Sequence, residues 1–243
     1  MTKNKDINTI KNELYEKYGD IAVDIFESVL QANTLLQIDK IYSLAACKYH
    51  PTNKYDLQDI ILSRIEETSG CDFDFNDIDT SAITDMSYLF DDDQYRKKHI
   101  FKLDISKWNV SNVADMHCMF HDLNVIDFGD LSQWDVSNVE SMSMMFDGCE
   151  CFKSDISNWD VSNVKDMSWM FTFCKEFNCD LSRWNVSNAE DMTRMFYGCH
   201  KFNQNLDTWD VSHVKYMSGI FESCPTKTQW YDNYEKQRIN KLP

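Results

Sequence analysis

The chain has 243 residues, 43% of them apolar and 14% aromatic, with a formal charge of −16. That length can bury a large core, as one long domain or two short ones, and the apolar content excludes global disorder. The charge is concentrated over residues 77–224, where 12 basic side chains face 25 acidic ones, so a phosphate backbone or an anionic membrane is repelled rather than bound.

The opening segment, MTKNKDINTIKNELYEKYGD, alternates charges with single apolar residues and has no uninterrupted apolar core, so neither a secretory leader nor a membrane span is expected in it. Nine cysteines are an odd number in a chain far longer than a small stapled domain, which reads as a reduced, cytoplasmic protein; a secreted or cell-surface protein whose start is incomplete would look the same. Within residues 1–50, Ile7, Ile10, Leu14 and Tyr18, followed by IAVDIFESVL and DKIYSLAACKY, predict about three helices. Residues 51–76 predict a helical cap. Leu57, Ile60, Ile61 and Ile65 share one face, Thr52 or Asn53 starts the helix and Gly70 ends it.

From residue 77 the chain repeats itself. Tryptophans fall at Trp108, Trp134, Trp159, Trp184 and Trp209, in steps of 26, 25, 25 and 25, and Phe120, Phe146, Phe171, Phe196 and Phe221 keep step with them. DIDTSAITDMSYLF is a degenerate earlier copy, with Ile78 in the tryptophan column and Met86 and Phe90 in theirs, so there are six repeats. In one repeat, Ile156, Trp159 and Val161 predict a short strand, and Met167, Met170, Phe171 and Cys174, at 0, +3, +4 and +7, predict a short helix. The expected fold class is an α/β repeat solenoid over residues 77–224, leucine-rich-repeat-like, with a helical cap before it and residues 225–243 closing its far end through Trp230, Tyr231 and Tyr234. Parallel pairing would stack six rungs over roughly 29 Å.

The spelling W-[DN]-V-S-N-V followed by M-x-x-M-F resembles the BspA-like family of leucine-rich-repeat proteins, over residues 77–224 and back through YHPTNKYDLQDIILSRIEETSGCDFDFNDIDTS. Many such proteins are bacterial surface proteins or lipoproteins, and the resemblance implies a repeat fold without an assigned biochemical role.

Several side-chain sets carry competing readings. Cys149, Cys174, Cys199 and Cys224 form a column at a 25-residue step, either a metal or redox site or a buried structural ladder. On a helix His117 and His121 share a face and are capable of holding a metal, although spacing supplies no third ligand. The column Asp74, Asp104, Asp130, Asp155, Asp180 and Asn205 reads either as calcium ligands or as caps on loop N–H groups. No nucleophile–base–acid arrangement and no phosphate-binding loop is present, so no catalytic residue, cofactor or metal is assigned.

The expected function is a non-enzymatic protein–protein interaction scaffold. The alternatives are an exported adhesin, and an enzyme or enzyme subunit with its chemistry in residues 1–50. Two residues after each repeat's first methionine lies a position that packing does not dictate, yet the chain writes Tyr88, Cys118, Met144 and Trp169 there before Arg194 and Gly219. With Phe173 and Tyr197 beside them, Tyr88, Met144 and Trp169 are the expected partner-binding residues, on the helical side of the repeats. The rival surface is the polar strand side, marked by Asp77, Lys107, Gln133, Asn158, Arg183 and Thr208.

Overall fold

The computed structural model describes residues 47–68, 70–91, 95, 100–123 and 125–239. The helices expected over residues 6–49 lie outside these residues, except at Cys47–Tyr49. The chain divides into two compact units: residues 1–50 with Asp77–Asp79, and Pro51–Asn76 with Thr80–Pro243. In the first, a parallel bridge joins Tyr49 to Ile78, and Asp79 N–H donates to the Tyr49 carbonyl at 2.8 Å.

The second unit opens with helix α1, Lys54–Glu67. Asn53 starts it, its side-chain oxygen accepting from the Tyr55 and Asp56 N–H groups, and Asp56 and Arg64 sit at the ends where the helix dipole favours them. Leu57, Ile61 and Ile65 are buried at a spacing of four, and Ile60 is half-buried. The helix closes at Thr68 in extended backbone and not at Gly70. It covers the front of the first repeat: Lys54 Nζ reaches Asp85 Oδ2 at 2.7 Å and Ser87 Oγ at 2.9 Å, and Gln58 Nε2 donates to the Tyr88 carbonyl at 3.2 Å.

Strands β1, Asp72–Asp74, and β2, Lys102–Asp104, pair in parallel with Phe73 opposite Leu103, both buried. Beyond them the repeats are joined by single parallel bridges, Asp85 to Asp115 to Ser141 to Asp166 to Asp191 to Tyr216. Each bridge lies one residue before the repeat's first methionine, and there the chain departs from its spelling. The 0, +3, +4, +7 segment is not a helix. Met142, Met144, Phe146 and Gly148 donate their N–H groups to Asp166, Ser168, Met170 and Thr172 of the next repeat, at 2.9, 2.9, 2.9 and 2.8 Å. These N–H groups are therefore spent between repeats, whereas a helix would spend them on carbonyls four residues back. Three-residue turns such as Met145 N–H to the Met142 carbonyl, 3.2 Å, fill in between. The expected strand over Ile156–Val161 is likewise turned, with Trp159 N–H on the Ile156 carbonyl at 3.1 Å.

The interior is built of columns. Trp134, Trp159, Trp184 and Trp209 each donate the indole N–H to a carbonyl of the preceding repeat, at Ile105, Leu131, Ile156 and Leu181, over 2.8 to 3.3 Å. Trp108 does the same to Phe75 at 3.0 Å. Burying these rings thus leaves no unmet donor. Phe90, Phe120, Phe146, Phe171, Phe196 and Phe221 stack with centroids 5.3 to 5.8 Å apart. A second column, Phe128, Phe152, Phe177 and Phe202, lies against them, with Phe146 and Phe152 at 3.9 Å.

Helix α2, Gln229–Ile239, follows the last repeat. Trp230 extends the tryptophan column, stacking 6.5 Å from Trp209 and donating its indole N–H to the Leu206 carbonyl at 2.9 Å. No helix among the described residues is long and apolar enough to cross a membrane.

Candidate interaction surface

Two columns of left-handed backbone run along the M-x-x-M-F side. Tyr88, Cys118, Met144, Trp169, Arg194 and Gly219 have φ of 56, 53, 56, 60, 53 and 68°, all two residues after the first methionine. Four residues further on, Asp122, Gly148, Phe173, Gly198 and Ser223 have φ of 55, 75, 57, 71 and 57°. The geometry turns the chain outward at each repeat, and it costs a side chain with a Cβ roughly 1–2 kcal/mol, which glycine is spared. Tyr, Met, Trp, Arg and Phe therefore stand where glycine folds more easily.

The side chains on these columns meet in two groups. Toward the front, Tyr88, 48% exposed, lies edge-on to His117 at 4.9 Å, with its hydroxyl 2.8 Å from Nε2. Cys118, expected among the outward residues, is instead buried, its Sγ 3.7 Å from Met144 Sδ. Its side chain is short enough to fold under Met144, which is half-buried. Further along, the Arg194 guanidinium lies over Trp169 at 4.8 Å and over Tyr197 at 5.2 Å, and Phe173, 43% exposed, meets Tyr197 edge-on at 5.2 Å. A cation held between two rings is an arrangement favoured at binding hot spots. Trp169 and Tyr197 are half-buried. Arg194 and His117 organise the two groups; spacing places Arg194 in the outward column and His117 as a metal candidate but assigns neither of these contacts.

The other sets are committed to the fold. Cys149, Cys174, Cys199 and Cys224 are buried free thiols that lie 2.9, 3.0, 2.8 and 3.4 Å from the carbonyls of Phe120, Phe146, Phe171 and Phe202, positioned to donate to them. Burial pushes all four thiols up, which keeps them protonated and unreactive. A thiol reagent is expected to add at most five labels to the folded chain, on the cysteines outside this column, and nine on denaturation, read by intact mass; a sixth label on the folded chain would contradict the ladder. His117 and His121 do not share a helix face, since no helix forms there. His121 turns its Nδ1 to Asp91 at 3.1 Å. The acidic column caps turns: Asp74, Asp104, Asp130, Asp155, Asp180 and Asn205 each accept from the N–H two residues on, at 2.9 to 3.2 Å. Burial pushes Asp104 up, but bonds from Asn76, Ser106 and Lys102 outweigh it and hold the carboxyl down at about 2. Among the described residues no group of three or more His, Cys, Asp and Glu is placed to hold a metal ion. On the strand side, Lys107, Gln133, Asn158, Arg183 and Thr208 are exposed, and Thr208 Oγ1 donates to the Ser182 carbonyl at 2.9 Å.

Asp147, beside His121, makes stability depend on pH. Burial pushes its carboxyl up to about 6, against the pull of His121. The native carboxyl keeps its proton to about that pH, whereas an unfolded aspartate releases it near 3.8. Between the two the native chain holds more protons, so stability falls as pH rises through this window. Asp147→Asn is expected to remove that fall, gaining about 1–3 kcal/mol on the parent chain between pH 4 and pH 7 in urea unfolding. A difference that stays constant over this range would contradict the assignment.

No curated protein and no solved structure matches the chain. A family described as "Mycoplasma protein of unknown function, DUF285" matches residues 61–127 and again residues 122–234. The two matches run from the second half of α1 through the repeats bridged from Asp85 to Tyr216 and into α2, well over half of the 243 residues. The chain belongs to that family.

Proposed function

We propose that the chain is a non-enzymatic protein–protein interaction scaffold of the BspA-like leucine-rich-repeat type, a solenoid of six repeats working in the reducing cytoplasm. The observation that carries this reading is the outward left-handed column. Trp169, Arg194, Met144 and Tyr88 adopt a backbone that glycine fills at lower cost, and the repeat tolerates glycine there, as Gly219 does. Bulky side chains held in strained backbone at a surface point to use rather than to packing. Trp169, Phe173 and Tyr197, clamped by Arg194, form the contact centre, with Tyr88 and Met144 extending it. The buried columns hold each repeat to its neighbours and leave the outward letters free to vary.

The test compares capture of the native partner, identified by cross-linking in the source cells, by the parent chain, Trp169→Gly and Arg183→Ala. Trp169→Gly is expected to lower capture at least tenfold, while Arg183→Ala leaves it unchanged. The reverse pattern would move the site to the strand side.

A further inference from the structure

Cys118 differs from the other buried thiols of the repeats. The ladder thiols lie against carbonyls, whereas Cys118, 4% exposed, turns its Sγ to His117 Nε2 at 3.3 Å and to Met144 Sδ at 3.7 Å. A thioether is a weak acceptor, and Nε2 is shared with the Tyr88 hydroxyl at 2.8 Å, so neither contact gives the thiol a strong partner. No trio of His, Cys, Asp and Glu converges on a metal position among the described residues, but Met144 completes one with His117 and Cys118. Both sulfur residues stand on left-handed backbone in neighbouring repeats, with φ of 53 and 56°.

The spacing suits one ion. Nitrogen and sulfur donors about 2.0–2.3 Å from a metal, at roughly 100–120° to one another, stand about 3.3–4.0 Å apart. Both separations from Cys118 Sγ fall in that range. The donor set then chooses the ion: a thiolate, a thioether and an imidazole together select Cu(I), whereas zinc prefers sites without methionine. The carboxylates of Asp91, Asp115 and Asp147 lie near enough to act on the charge of Cys118, so the surroundings favour a cation. Asp115 also fixes the main chain of His117, accepting its N–H at 2.8 Å. Tyr88, 48% exposed, covers Nε2 and is the side chain that has to swing away to admit the ion. We propose that His117 Nε2, Cys118 Sγ and Met144 Sδ form a three-coordinate site for Cu(I). On binding, the Cys118 thiol proton leaves to solvent, and lone pairs of the two sulfurs and of Nε2 form the bonds to copper, so no oxidant or reductant is consumed.

The test uses the full chain, carrying methyl-labelled methionine, and cuprous ion kept reduced by ascorbate without oxygen. One equivalent is expected to move the Met144 methyl resonance, identified by its absence from Met144→Leu. Competition against a coloured cuprous chelator is expected to show binding weakened roughly a hundredfold by Cys118→Ser and about tenfold by Met144→Leu or His117→Gln, in chains that keep the parent's amide spectrum. Tyr88→Phe retains all three donors and is expected to tighten binding a few-fold by freeing Nε2. A Met144 methyl that stays in place with one equivalent would overturn the proposal. So would a Cys118→Ser chain that binds as tightly as the parent, which would put the ion on other cysteines, and so would zinc that moves the Met144 methyl as far as cuprous ion does.

Discussion

Trp159→Ala is expected to cost on the order of 3–5 kcal/mol in chemical unfolding, the largest effect of any single truncation considered, as befits a buried aromatic ring. Trp159 is 3% exposed, lies parallel to Trp134 at 6.1 Å and tilted to Phe146 at 6.4 Å, and its indole N–H holds the Leu131 carbonyl at 2.8 Å. Removing the ring opens a cavity between repeats and leaves that carbonyl without its donor. Trp159→Phe restores part of the volume but not the hydrogen bond, so it is expected to recover most of the loss but retain a deficit of about 1 kcal/mol. A Trp159→Ala chain that unfolds within 1 kcal/mol of the parent would contradict the buried column.

Gly198→Val is expected to cost about 2–4 kcal/mol, combining left-handed strain with overpacking. Gly198 has φ +71°, and a Cβ there would stand 2.6 Å from Phe173 Cδ1. The ring of Phe173 therefore occupies the space a side chain would need. Pairing Gly198→Val with Phe173→Ala removes the collision but not the backbone strain, so the double variant is expected to be more stable than the sum of the two singles implies, by about 1 kcal/mol. Additive losses would show that the two positions do not touch.

The columns were legible because a side chain that recurs at a fixed step has to meet its copy. Trp159, Phe171 and Cys174 are buried on that account. The second ring column, Phe128, Phe152, Phe177 and Phe202, keeps nearly the same step and was available to the same reasoning. The turn structure was not legible from apolar spacing. Inward residues at 0, +3, +4 and +7 suit a helix, and they equally suit a path that swings outward through a left-handed residue and returns. Gly148, Gly198 and Gly219 were the signal, since glycine alternates with Trp, Arg and Phe in columns that a helix would fill with ordinary residues. The carbonyl partners of the indole and thiol groups depend on where the neighbouring backbone runs, which spacing does not fix. For the surface, the exposed rings of Tyr88 and Phe173 were readable as outward letters. The Arg194 clamp was not, because it joins residues of adjacent repeats.

The central claim is that Trp169 is held in costly backbone for a partner and not for the fold. Capture and unfolding measured side by side on Trp169→Gly test it most directly, because glycine relieves the left-handed strain, about 1–2 kcal/mol, against the lost Arg194 contact, about 0.5–1 kcal/mol, and the lost burial of a half-buried ring, about 1–2 kcal/mol. The expected result is a folded chain within about 2 kcal/mol of the parent that no longer captures the partner. A folded chain that keeps full capture, or a loss of about 3–5 kcal/mol as for a core aromatic, would contradict the claim.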